Sequence, residues 1–164
     1  MAETHTVPIL PGDRARIRLF LDLPWRIYAG LPQWVPPLSM EAGRPFDRAR
    51  HPFYRHSDAV FFLAQSSTGE VIGRISVLEN RNYNAYNSER TAFFWHFECV
   101  DDTQAAGLLV EAAAEWARAR GMTVLRGPHG FTPLDGLGLL IRGFEHRPAF
   151  GIPYNPSYYP RLLE

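Results

Sequence analysis

A histidine and a carboxylate stand two residues apart in the apolar run Thr91–Val100. In a strand, side chains alternate between the two faces. Phe93, Trp95, Phe97 and Cys99 then share one face, and Phe94, His96 and Glu98 share the other. His96 and Glu98 on one side could take a proton from an ammonium, directly or through a water. They could equally be two satisfied polar groups at the edge of a cleft. Cys99, the only cysteine, falls on the apolar face. A thiol there is a small core residue rather than a nucleophile. One cysteine also leaves no disulfide and no cysteine-rich zinc site. His5, His51, His56, His129 and His146 share no ligand spacing on one element, so no metal is expected. No serine sits in a nucleophile-elbow pattern.

The next segment, Asp101-Asp102-Thr103-Gln104-Ala105-Ala106-Gly107, lies where a helix begins. A helix N-terminus offers free N–H groups to an anion. Two aspartates beside it oppose a bound anion and instead favour the helix dipole. The helix itself spans Asp101–Arg120. Ala105, Leu108, Leu109, Ala112, Ala113, Trp116 and Ala117 form its apolar stripe, with Trp116 placed in the core. Gly121 ends it in the expected left-handed position.

Other elements must position these residues. Ala59–Ser66 is apolar on both faces and reads as a central strand, and Ser67-Thr68-Gly69-Glu70 supplies hairpin chemistry before the strand Val71–Glu79. Arg74 sits inside that second strand. Asn80–Glu89, with four Asn and two Tyr, reads as a loop, either a solvated connector or the lining of a substrate mouth. Thr123–Arg126 is a short strand after the helix, followed by the loop Gly127-Pro128-His129-Gly130-Phe131. Upstream, Asp13 caps a helix over Arg14–Leu21, and Pro24 opens a second one over Trp25–Ala29. Leu31–Leu38 is too proline-rich for a helix and reads as extended, and Ser39–Asp47 reads as a short helix. The division is residues 1–58 as a helical N-terminal region, 59–128 as the core and 129–164 as a partial C-terminal region, all within one domain.

The totals exclude several functions. The 164 residues carry 17 basic and 17 acidic side chains, so no basic field invites nucleic acid or anionic lipid. Every basic residue other than histidine is arginine. A chain without lysine has no Walker phosphate loop and forms no Schiff base. No apolar run reaches the ~20 residues of a membrane helix. Met1–Pro11 lacks the order of a signal peptide, and a cytoplasmic location is expected.

The hairpin around Thr68-Gly69, the strand ending Phe97-Glu98-Cys99-Val100 and the helix up to Gly121 resemble the core of the GNAT acyltransferases. More specifically, the chain resembles the N-terminal part of bacterial GNAT-like proteins about twice its length. The motifs are Trp34-Val35-Pro36-Pro37-Leu38, His51-Pro52-Phe53, Val71-Ile72-Gly73-Arg74-Ile75, Phe97–Asp102, Arg126-Gly127-Pro128 and Tyr154-Asn155-Pro156-Ser157-Tyr158-Tyr159. The resemblance implies an α/β (α+β) fold with a mixed, mostly antiparallel sheet and flanking helices. It also implies transfer of an acyl group from acetyl-CoA or another acyl-CoA to an amine. The backbone of Glu98, Cys99 and Val100 would bond the pantetheine arm, and the amides of Thr103, Gln104, Ala105, Ala106 and Gly107 would hold the pyrophosphate. Asn155 joins this cofactor-binding set, and Tyr159 lies near the position of the general-acid tyrosine. The sequence departs from the pattern in its phosphate loop, where Thr103 and Ala105 stand at glycine positions that let backbone approach phosphate closely. Two further strands normally follow the last motif, so a sheet without its closing hairpin is expected.

Two functions follow. In one, the chain is an N-acyltransferase with a degenerate phosphate loop. Glu98, with His96, deprotonates a small-molecule amine or other acceptor that enters past Asn80–Tyr86 and Gly127–Phe131. In the other, it is a non-catalytic GNAT-like module that packs against a second copy or a second GNAT-like half. Trp25, Trp34, Phe53 and Tyr54 would supply that interface.

Overall fold

The computed structural model describes residues 3–164; of the segment Met1–Pro11, residues 1 and 2 lie outside it. Five strands form one sheet in sequence order. They are β1 (His5–Pro8), β2 (Asp58–Gln65), β3 (Val71–Glu79), β4 (Thr91–Cys99) and β5 (Val124–Arg126). The first four are antiparallel neighbours, and β5 runs parallel to β4. The helices are α1 (Arg14–Ile27), α2 (Ser39–Ala42), α3 (Arg81–Asn87), α4 (Thr103–Ala119) and α5 (Tyr159–Leu163). The sheet separates two cores. Phe20 and Leu23 of α1 pack with Phe61, Leu63, Leu78 and Phe93 on one face. On the other, α4 buries Ala105, Ala106, Leu109, Ala113 and Ala117 against Ile75, Val77, Ala92 and Cys99. This is the expected mixed, mostly antiparallel sheet with flanking helices.

Several elements differ from expectation. The N-terminal region is not wholly helical, because His5–Pro8 pairs with Phe62–Gln65 as an edge strand. Asn80–Glu89 is not a loop: Asn80 accepts from the Tyr83 amide and caps α3, which ends at Ser88 in the left-handed region. Asparagine thus serves as a cap, one of its two favoured positions. Helix α4 begins at Thr103 rather than Asp101, since Asp102 is its N-cap.

The two short helices expected around Pro24 are one continuous helix. Proline has no N–H to give the carbonyl four residues back, which here belongs to Phe20. That carbonyl is not wasted. Arg74 Nη1 donates to it at 2.6 Å from β3.

Strand β4 carries a bulge. Its pairing with β3 runs from Trp95 opposite Ser76 to Glu98 opposite Arg74, so His96 and Phe97 stand against Ile75 alone. His96 takes the strain, with φ +50°. The uniform alternation expected along β4 is therefore broken. Phe93 and Trp95 face α1, whereas Phe97 and Cys99 face α4.

Candidate active site

Glu98 is the centre of a buried polar cluster on the α1 face. Its Oε2 lies 2.6 Å from Tyr159 Oη and 2.8 Å from Tyr28 Oη. Its Oε1 is 3.7 Å from Arg74 Nη2. Burial pushes the Glu98 carboxyl above its usual range, opposed by the Arg74 charge and the two phenolic donors. The result is a carboxylate of raised basicity, the property a general base needs near neutral pH. Burial and the Glu98 charge raise both tyrosines, so their hydroxyls keep their protons and act as donors.

Each partner is held by a different element. Tyr28 follows α1, and its ring stacks on Trp34 at 4.8 Å. Tyr159 opens α5 and accepts a hydrogen bond from the Cys99 amide at 3.0 Å, which fixes its oxygen beside Glu98. Arg74 is almost fully buried, with its guanidinium 4.6 Å from the Phe20 ring centroid and bonded to the Phe20 carbonyl. Its Nε has no hydrogen-bond partner. A buried cation of this kind persists only beside an anion, and Glu98 supplies it.

His96 shares the face of Glu98, as expected, although the bulge rather than alternation puts it there. Its hydrogen-bond partner is Ser76 Oγ, 2.9 Å from Nδ1, and not Glu98. Phe20, Phe61 and Phe131 surround the ring. Burial first and the Arg74 charge second hold its pKa well below 6.5, so the imidazole is neutral. It can accept a proton only at a cost, and its place in the bulge makes it a shaping residue for the strand.

These groups form the floor of a cavity of about 700 Å³. Trp25, Trp34, Val35, Leu38, Phe150 and Ile152 are among its apolar walls. Trp25 and Phe150 are more than half exposed at its rim. No residue of Asn80–Glu89 lines it, whereas Pro128 and Phe131 of the other expected entry segment do. Chemically, the arrangement is an aromatic and aliphatic sleeve ending in a carboxylate with two phenols and a guanidinium. Such a site suits an apolar molecule with one cationic end.

The other expected site residues, Asn155 apart, lie at the end of β4 and the start of α4, where the resemblance puts the acyl donor. There most of the hydrogen-bonding groups are already engaged. The Cys99 amide donates to Tyr159, and the Cys99 carbonyl accepts from Tyr158 Oη at 2.9 Å. Val100 N donates to the Ile72 carbonyl at 2.9 Å. The Asp102 carboxylate accepts from the amides of Gln104 and Ala105, at 2.8 and 3.1 Å. Ala106 N bonds the Asp102 carbonyl, and Arg161 bonds Asp101 and Thr103 Oγ1. Ala105 and Ala106 side chains are in the core, and Gly107 is exposed on α4. Asn155 spends its amide on the backbone of Leu140 and Pro156. Cys99 is buried, with its thiol pushed up to about 12 by burial, so it is inert. An acyl-CoA does not fit this set as folded, because two of the amides that would meet its phosphates, those of Gln104 and Ala105, face a carboxylate.

Sequence reading missed Tyr28 and the pairing of Arg74 with Glu98. Arg74 carried a signal, an arginine inside an apolar strand. Of the aromatic residues expected at an interface, Phe53 is buried against Phe131, and Trp34 is half-buried and stacked on Tyr28. Trp25 alone among those four is largely exposed.

No protein-family model matches the chain. It is 32% identical to a bacterial ceramide synthase of Caulobacter vibrioides, over 99% of this chain and 42% of that protein. It is 26% identical to protein YghO of Escherichia coli, over 90% of this chain and 37% of that protein. The chain thus spans about two fifths of the length of these curated relatives. Among solved structures, an acetyltransferase of the GNAT family from Staphylococcus aureus superposes with a TM-score of 0.50 at 10% identity. The match covers 76% of this chain and 72% of that one. With its sheet order, its α4 after β4 and this neighbour, the chain carries the GNAT acetyltransferase fold.

Proposed function

We propose that the chain forms the acceptor side of an N-acyltransferase, with Glu98 as the base that takes a proton from a long-chain amine. The carrying observation is the buried carboxylate at the floor of a 700 Å³, largely apolar cavity. The likeness to a ceramide synthase supports the acceptor class, since a ceramide is the amide of a fatty acid and a long-chain amino alcohol. The tail would lie along Trp25, Trp34, Leu38 and Ile152, and the ammonium would meet Glu98. One N–H bond of the ammonium breaks and its proton passes to the Glu98 carboxylate, leaving a neutral amine whose lone pair can attack an acyl carbon. Tyr28 and Tyr159 hold the carboxylate in place during that transfer.

The engaged donor side favours a second reading, in which this unit only holds an acceptor while another half or copy carries the acyl group. Dodecylamine and dodecanol, which share a tail, separate these ideas. Cavity tryptophans report binding by fluorescence. The amine should bind at least about tenfold more tightly than the alcohol, and Glu98→Gln should abolish the difference. Equal binding of amine and alcohol would sink the acceptor reading. Amide formed from dodecylamine and an acyl-CoA, reduced about 10²–10⁴-fold by Glu98→Gln, supports the enzyme; amine binding without turnover supports the module.

A further inference from the structure

The donor side of the fold is closed by the chain itself. Strand β4 pairs with β5 only over Thr91–Phe93, because β5 ends at Arg126. His129 N then bonds the Phe94 carbonyl, and the C-terminal segment meets β4 at Cys99. Tyr158 and Tyr159 take the carbonyl and the amide of Cys99. At the start of α4, one Asp102 oxygen takes the amides of Gln104 and Ala105, while Asp101 ties down Arg161. Two separate stretches, Asp101–Asp102 and Tyr158–Arg161, thus converge on one function, satisfaction of the polar groups that an extended thioester and its pyrophosphate would otherwise use. Buried backbone groups left unpaired are costly, so a site kept free for a ligand leaves them facing water or an open slot. None of the groups named here does so.

We propose that Tyr158, Asp101 and Asp102 form an internal latch that excludes a pyrophosphate-bearing thioester from the end of β4 and the start of α4. An acyl group must then reach Glu98 by the cavity mouth, or only after the latch opens. The latch concerns the donor side alone and leaves the reading of the Glu98 cavity untouched.

Coenzyme A itself is the probe, followed by calorimetry and by the thermal midpoint. Wild-type protein should bind it no more tightly than about 1 mM, with no shift of the midpoint. The variant Asp101→Ala/Asp102→Ala/Tyr158→Phe frees two amides and one carbonyl, removes two negative charges and releases Arg161. It should gain at least about tenfold in affinity, with a saturable rise in the midpoint. Should that variant fail to melt cooperatively, Tyr158→Phe alone keeps the helix cap and should still bind severalfold more tightly than wild type. Wild-type binding well below 1 mM overturns the latch, as does a folded variant with no gain. Dodecylamine binding, measured on the same samples, should not change, so loss of the latch and loss of the acceptor site give different results.

Discussion

The two faces of β4 make opposite use of polar chemistry. On the α1 face, Glu98, Arg74, Tyr28 and His96 gather titratable groups under an open cavity, and Arg74 Nε is left without a partner. On the α4 face and at the strand's end, Phe97 and Cys99 are bordered by alanines, and the polar groups named above are engaged at ordinary distances. The first region keeps unspent bonding capacity and perturbed protonation. The second has the profile of a structural joint. The bulge at His96 divides them, because it lets consecutive stretches of one strand serve different faces. A GNAT fold therefore does not by itself locate a working donor site, since site chemistry must be argued apart from the fold.

The largest effect should come from Arg74→Met. It leaves Glu98 buried without its cation, and breaking a buried pair costs about 3–5 kcal/mol. The penalty should depend on pH. A carboxyl whose folded pKa is raised above 4.5 holds a proton that the unfolded chain releases. Stability from that group is present at low pH and lost as pH rises through the folded value. Removing Arg74 raises Glu98 further, so the penalty should grow from pH 5 to pH 8. Adding Glu98→Gln should erase that growth. His96 acts in the opposite direction: its folded pKa is depressed, so it costs stability as pH falls below 6.5. Urea titrations of the single and double variants at several pH values would check all of this. A pH-independent penalty would show that Arg74 serves packing alone.

On the quiet face, Gly73→Ala should cost about 1–3 kcal/mol by overpacking. A Cβ at Gly73 would stand 2.7 Å from Leu109 Cδ1, 3.2 Å from Cys99 Sγ and 3.3 Å from the Glu98 carbonyl. Leu109 and Cys99 are fully buried and have no free space to move into. Unlike the Arg74 penalty, this one should be flat with pH, a contrast that the same titrations would show. Asp102→Ala should cost less, about 1 kcal/mol, as an ordinary lost helix cap. A much larger loss would mean that the aspartate does more than cap.

Much of the fold was legible because it is local. Thr68-Gly69 gave the hairpin, the alanine-rich stripe and Gly121 gave α4, and the β4 motif gave the strand that carries Glu98. What was not legible depends on distance along the chain. Tyr28 and Glu98 are 70 residues apart, and no periodicity connects them. The alternation rule assigned His96 and Glu98 to one face, but it assumed a regular strand. The bulge preserved that pairing while separating Trp95 from Phe97. Asn80–Glu89 was misread because asparagines favour both loops and caps. His5–Pro8 is too short to show a period. At the start of α4, the two aspartates already favoured the helix dipole over a bound anion, and the structure shows Asp102 as the N-cap.

The smallest expected change is also the most specific to the contrast between the faces. A proline in a helix interior ordinarily costs about 3 kcal/mol, so replacing it with alanine should stabilise by a similar amount. Pro24 is different, because the carbonyl it leaves open is the acceptor for Arg74 Nη1. Pro24→Ala restores an N–H aimed at the Phe20 carbonyl, which must then be shared with the guanidinium. The helix gains a bond, and the cation beneath Glu98 loses part of one. Net stability should stay within about 1 kcal/mol of wild type, while the discrimination between dodecylamine and dodecanol should weaken because Arg74 no longer fixes the carboxylate as firmly. Full stabilisation by about 3 kcal/mol with unchanged discrimination would show that Arg74 holds its position without that carbonyl, and that the kinship of α1 with the site is one of packing only.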